Sequence, residues 1–241
     1  MKKQLLGVNI TVDPKNVILQ TIHEYLMGKS TSSPFIIVTP NPEQIMLAQE
    51  NEEFLKRLNR ADVALPDGVG LVWAMKLVKG VSIQRIPGVD FMSELVRMAN
   101  KNNWEIGLIG GFNGIGKKAV EELKLSYANL RGWALEPEEM DIDKVVQHCK
   151  GSATKIVFVG MGAPKQEEYI EVLKKHGGRV VLMAVGGSFD MIAGNISRAP
   201  RWIQTCGGEW LFRLIQEPWR WKRQWSLIHF IALVLRTVVT R

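Results

Sequence analysis

Short apolar runs rich in β-branched residues alternate along the chain with stretches whose apolar positions recur every three or four residues. The first pattern reads as strand and the second as helix. Together they predict strands over residues 6–12, 35–38, 63–65, 105–109, 133–135, 155–159 and 180–184. They predict helices over 14–27, 42–59, 70–78, 90–100, 115–128, 141–150, 166–176 and 189–192. Strands separated by helices call for a parallel sheet covered on both sides. The expected fold class is therefore α/β, a Rossmann-like parallel-sheet body with helices on both faces. The alternation stops near Gly194. After Pro200 one helical pattern runs to Glu217, Pro218 interrupts it, and another runs from Trp219 to the end. The chain divides into an α/β body, residues 1–194, and a helical C-terminal appendage, residues 195–241.

Charge sharpens that division. The 241 residues carry a net charge of +7. Beyond residue 194 there are eight basic residues (Arg198, Arg201, Arg213, Arg220, Lys222, Arg223, Arg236, Arg241) against Glu209 and Glu217. Five of the eight tryptophans also lie there. A near-neutral body with a basic, Trp-rich end implies an anionic partner: nucleic acid, phosphate groups or a membrane surface. Trp221, Trp225, Ile228, Ala232, Leu235 and Val239 recur at helical spacing and form one apolar face. The apolar run 227–235 is far short of the roughly 20 residues a spanning helix needs. It suits an interfacial helix, with Trp at the headgroup level and basic groups toward anionic lipid. Burial of that face in an oligomer is the competing explanation.

The remaining composition excludes more than it proposes. Hydrophobic residues at 46% and charged residues at 23% are ordinary for a globular chain. Met1-Lys2-Lys3 precedes no long apolar core, so the N-terminus reads as a first strand and not a signal peptide. Cys149 and Cys206 give neither a disulfide framework nor metal-ligand spacing, which suits a reducing, cytoplasmic setting. His23, His148, His176 and His229 share no ligand spacing either.

Candidate chemistry sits at predicted strand ends. In Leu65-Pro66-Asp67-Gly68 the proline ends the strand, so Asp67 falls just past its carboxyl end. That edge of an open parallel sheet is where ligands bind. A turn or helix cap is the simpler explanation of the same residues. Thr39-Pro40-Asn41-Pro42 places a hydroxyl and an amide where a sugar could be held, although Asn41 also suits a helix N-cap. Three strand ends run into glycine loops, at 110–116, 160–162 and 186–187. Backbone amides in such loops meet phosphates. The first is not G-x-G-x-x-G, and we find no acidic residue at the right offset on the following strand end. Asp141-Ile142-Asp143 has the D-x-D form of many metal-dependent sugar-nucleotide transferases, but at a helix start acidic residues are favoured by the dipole alone. Arg213, Arg220 and Arg223 fall within roughly an 80° arc on a continuous helix. They suit a diphosphate clamp or a solvated basic face.

Taken together these stretches resemble the WecG/TagA/CpsF family of bacterial glycosyltransferases. The resemblance rests on Thr39-Pro40-Asn41-Pro42-Glu43-Gln44, Leu65-Pro66-Asp67-Gly68, Arg85-Ile86-Pro87-Gly88-Val89-Asp90 and Gly162-Ala163-Pro164-Lys165-Gln166-Glu167. It continues through Gly186-Gly187-Ser188-Phe189-Asp190, Ala193-Gly194, Arg198-Ala199-Pro200 and Gly208-Glu209-Trp210-Leu211-Phe212-Arg213-Leu214. It implies an inverting transfer of N-acetylmannosamine from UDP to the 4-hydroxyl of GlcNAc on undecaprenyl diphosphate, in wall teichoic acid synthesis. No residue settles the donor, and a mannosaminuronic acid donor stays open. The resemblance implies Asp67 as catalytic base, and Thr39, Asn41, Arg85 and Gln166 near sugar and acceptor. It places Gly186, Gly187 and Asp190 on the nucleotide side, where Gly110 and Gly111 also point, with Arg213, Arg220 and Arg223 closing over the diphosphate. It implies no metal and no cofactor. The implied partners are the UDP-sugar, the lipid-linked acceptor and the cytoplasmic face of the membrane, not nucleic acid; homo-oligomerisation stays open. Two other classes remain: an NAD-binding enzyme using the 110–116 loop, separable by NAD binding without UDP binding, and a non-catalytic membrane adaptor, separable by membrane binding without UDP release.

Overall fold

The computed structural model describes residues 1–28, 33–136, 142–151, 154–218 and 221–240, without the side chains at 150 and 222–224. The first expected strand is two: β1 (Lys2–Leu5) and β2 (Val8–Thr11) form an antiparallel hairpin. The turn uses Leu6 and Gly7 at φ 47° and 82°. Two positive φ values give the tight turn whose twist matches a hairpin. Leucine is a rare choice for such a position, so the turn is invisible in the sequence.

Six strands form the main sheet: β3 (Phe35–Val38), β4 (Val63–Ala64), β5 (Glu105–Gly110), β6 (Arg131–Leu135), β7 (Thr154–Gly160) and β8 (Val181–Ala184). Their order is β4-β3-β8-β7-β5-β6 and every pairing is parallel. The expected α/β class is what forms. Past the polar residues that open β5 (Glu105) and β7 (Thr154-Lys155), the inner strands are apolar because both faces are covered. Ile36, Val38, Val157, Val159 and Leu182 feed one core, and Ile37, Ile156, Phe158, Val181 and Met183 the other.

Helix α1 (Lys15–Met27) follows the hairpin. The expected helix over 42–59 is broken into α2 (Pro42–Glu50) and α3 (Glu52–Arg60). Asn51 ends the first and caps the second, its side chain accepting from the Phe54 N–H. Next come α4 (Val69–Lys79), α5 (Gly88–Lys101), α6 (Ile115–Ser126), α7 (Ile142–Gly151), α8 (Lys165–Lys175) and α9 (Ser188–Ile192). The expected helix after Pro200 is also two, α10 (Arg201–Thr205) and α11 (Glu209–Gln216). Gly207, at φ 75°, makes the turn and lies where a Cβ would come within 3.0 Å of Val69.

Helix α12 (Trp221–Val239) closes the chain. Phe230 and Val234, one turn apart and fully buried, enter the first core, and Leu227 and Phe230 lie against Gly70 of α4. The opposite side leaves Trp221, Trp225, Ile228, Leu235 and Val239 exposed. No helix among the described residues is long and apolar enough to cross a membrane.

Candidate active site

Strand β4 is short because Pro66 cannot continue the ladder. Leu65 N–H still reaches Val38 O at 2.8 Å, and Asp67 N–H reaches Pro40 O at 3.1 Å. Asp67 is thereby fixed beyond the sheet's carboxyl edge, between the loop after β3 and the loop before α5. Gly68, at φ 99°, turns the chain into α4. On the other side Gly88 opens α5 and donates its N–H to Asp67 Oδ2 at 3.3 Å. A Cβ at Gly88 would stand 3.1 Å from Thr39 Cγ2 and 3.6 Å from Asp67 Oδ2, so a larger residue would crowd Thr39 at the helix start.

Burial pushes the Asp67 carboxyl up to about 6, with Glu209 and Asp90 adding to the rise; the Gly88 N–H and the Arg85 charge oppose it. A carboxyl in that range is ionised near neutral pH yet still basic enough to accept a proton.

Arg85 lies on the loop before α5. Its guanidinium is bonded to Glu209 at the start of α11 and donates to Gln204 O at 3.3 Å. Arg198 grips Asp90 with both terminal nitrogens, the Nη2–Oδ2 bond being 2.7 Å, and its Nε lies 3.6 Å from Glu209 Oε1. The residues beyond 194 are thus joined to the body beside Asp67. Sequence reasoning did not assign Asp90, Arg198 and Glu209 to the site, although all three lie in stretches that carried the resemblance.

Thr39 is buried and its hydroxyl donates to Ala184 O at 3.4 Å. Asn41 caps α2, its Oδ1 accepting from Gln44 N–H at 3.0 Å. Gln166 is buried; its Oε1 accepts from Gly186 N–H at 2.9 Å and its Nε2 donates to Glu167 Oε1 at 2.8 Å. It pins the loop after β8 to the start of α8.

The three glycine loops touch. Gly111 N–H donates to Gly160 O at 3.1 Å. A Cβ at Gly110 would lie 2.6 Å from that same oxygen, and one at Gly160 would lie 2.7 Å from the Phe189 ring. Gly162 and Gly186, both at positive φ, have nothing within 4 Å of their Cβ positions and face open space. Arg213 reaches from α11 onto the last loop. Its Nη2 is 2.6 Å from where a Gly187 Cβ would be, a position that also lies 3.5 Å from Asp190 Oδ2, and its Nε donates to Glu217 at 2.7 Å.

Arg220 lies outside the described residues, and Arg223 is described only through the backbone of α12. Asp141 is likewise outside; Asp143 is exposed on the first turn of α7. Among the described residues no group of three or more His, Cys, Asp or Glu side chains could hold a metal ion. One sequence reading needs correction: an acidic residue does follow the strand after the first glycine loop. Glu136 stands directly after β6 and accepts from Gly114 N–H at 3.2 Å. The short expected strand 133–135 already ended beside it.

The family model described as "Glycosyl transferase WecG/TagA/CpsF family" matches residues 3–241. The chain belongs to the WecG/TagA/CpsF family of glycosyl transferases. Among its curated relatives is the N-acetylglucosaminyldiphosphoundecaprenol N-acetyl-beta-D-mannosaminyltransferase of Bacillus subtilis (strain 168), 33% identical over 203 residues, 83% of this chain and 79% of that one. The protein of the same name from Staphylococcus aureus (strain MRSA252) is 32% identical over 224 residues, covering 92% and 86% of the two chains. The chain has two conspicuous features at one edge of the sheet: a raised carboxyl at Asp67, and open glycine loops after β7 and β8 with Arg213 over Gly187.

Proposed function

We propose that the chain is an inverting glycosyltransferase that moves N-acetylmannosamine from UDP-ManNAc to the 4-hydroxyl of GlcNAc on undecaprenyl diphosphate, the chemistry of the wall teichoic acid linkage unit. The observation that carries this reading is Asp67, half-buried at the carboxyl edge of the sheet with its carboxyl raised to about 6. In the reaction the acceptor 4-hydroxyl oxygen attacks the anomeric carbon as Asp67 takes its proton. The bond from that carbon to the diphosphate breaks, and UDP leaves with the electron pair. Attack from the face opposite the leaving group inverts the anomeric centre.

The open loops at Gly162, Gly186 and Gly187 suit the diphosphate, because backbone amides and a guanidinium meet phosphate oxygens without any proton transfer. Arg213 faces the charge that grows on the departing UDP. On the sugar and acceptor side Arg85 lies on the loop beside Asp67, while Thr39, Asn41 and Gln166 hold the loops after β3 and β8 that shape this side. The names of both relatives support the ManNAc donor over a uronic acid donor. A screen of UDP-sugars against an undecaprenyl-diphosphate-GlcNAc analogue, scored by product mass, tests the assignment. With each UDP-sugar supplied alone, product from another donor and none from UDP-ManNAc overturns the donor.

Arg213→Lys keeps the charge but loses the planar fork, so turnover is expected to fall by about 10-fold or more with the fold intact. Parent-like turnover would reduce Arg213 to part of a general basic face. We also expect activity to survive EDTA, since the charge on the leaving diphosphate is assigned to Arg213 and the loop amides; loss on chelation with recovery on adding Mn²⁺ is the contrary result.

The acceptor is a lipid, so the chain acts as a peripheral protein at the cytoplasmic face of the membrane. The exposed Trp221, Trp225, Ile228 and Leu235 of α12, with Trp202 and Trp210 nearby in sequence, supply the apolar surface for that contact.

A further inference from the structure

We infer that Glu209 is a positioning residue for the transfer: its carboxylate draws Arg85 away from Asp67 and latches the start of α11 across the site. The inference rests on the reading of Asp67 as the base.

Glu209 is the first residue of α11, where the helix dipole favours a negative charge. It is the common partner of two arginines from different parts of the chain, Arg85 before α5 and Arg198 before α10. An exposed ion pair would mean little. Here the side chains are only 23% exposed for Arg85 and 18% for Glu209, and the Arg85 Nη1 bond to Gln204 O holds the guanidinium from a second side. Arg198 repeats the arrangement with Asp90 on the first turn of α5. The chain of charges Arg85–Glu209–Arg198–Asp90 runs from the loop before α5 through the appendage and back to α5.

Asp67 sits beside this chain: Ile86 N–H donates to Pro66 O at 3.0 Å and Gly88 N–H to Asp67 Oδ2 at 3.3 Å, so the loop that carries Arg85 runs along it. The charges acting on its carboxyl are Arg85, Glu209 and Asp90, with Arg198 acting through Asp90 and Glu209. Without the Glu209 charge, Arg85 loses its carboxylate partner while its attraction to Asp67 remains. An Asp67 carboxylate paired with that guanidinium holds its proton less well and is a poorer base. Glu209 therefore keeps the base strong by keeping the arginine occupied. It also places Arg213, one turn further along α11, over the Gly187 loop.

The test uses full-length protein carrying Glu209→Gln, a change that keeps size and one acceptor oxygen. Turnover is expected to fall by about 10-fold or more, as misplacement within an active site does. The KM for the UDP-sugar should stay within a few-fold, and the acid limb of kcat/KM should move to lower pH. Amide hydrogen exchange in residues 201–216 should quicken. Parent-like turnover with an unmoved acid limb overturns the inference. So does a loss of turnover with an unmoved limb, which would mark Glu209 as merely structural. The parallel variant Asp67→Asn separates the two readings. If it turns over like the parent, the base assignment has failed, and quickened exchange in Glu209→Gln still reports the latch; unchanged exchange then refutes the latch as well.

Discussion

Asp67→Asn is expected to lower turnover by about 10²–10⁴, the usual worth of a positioned general base. The fold should survive, because an amide oxygen can still accept the Gly88 N–H that holds Asp67 in place. UDP binding should survive as well, since the glycine loops lie on the ends of other strands, β5, β7 and β8. The pH profile carries the same assignment. A base must be ionised to work, and burial has moved this one up to about 6. The parent's kcat/KM should therefore rise with pH through about 6 and level off above it. In Asp67→Asn that rise should disappear. Turnover within a few-fold of the parent, or an acid limb that persists in the variant, would remove Asp67 from the role.

The second large effect concerns the outer side of α12. Trp225→Asp combined with Ile228→Asp is expected to weaken binding to anionic vesicles by about 10²-fold or more. A large apolar side chain contributes about 1.5–3 kcal/mol when fully buried, and about 1.4 kcal/mol is a factor of ten. Both residues are 56% exposed, so the core-facing Phe230 and Val234 are untouched. Co-sedimentation with vesicles reads the affinity. Turnover on a lipid-linked acceptor should fall in parallel, while turnover on a short-chain soluble acceptor stays within a few-fold. Unchanged vesicle binding would mean that another surface meets the membrane. An equal loss on the soluble acceptor would mean that these side chains serve the fold.

The sequence carried the sheet well, because each inner strand contains an apolar run that stands out from its surroundings. It carried Asp67 for a related reason: Pro66 ends its strand on local grounds alone, which leaves the next side chain at the sheet's edge. Asn51 was harder to read, since one side chain both stops α2 and starts α3 without a proline or glycine. The Leu6-Gly7 turn was hidden by a leucine in a conformation it seldom adopts. The charges around Asp67 were hidden differently. Arg85 and Glu209 lie 124 positions apart, and a pairing over that separation leaves no periodic trace. Their motifs could be recognised as belonging to a family while their contact could not be inferred.

Helix α12 has a further consequence. Its inner side chains complete the interior against α2 and α4, and its outer ones are those assigned to lipid in the proposed membrane contact. An anchor on a flexible linker could be lengthened, swapped or trimmed without disturbing the rest of the molecule. Helix α12 is instead part of the fold: cutting it away would open a hole under Gly70 and strip two side chains from the interior. Any change in how the protein attaches to a membrane through this helix has to be accommodated by the packing of α2 and α4.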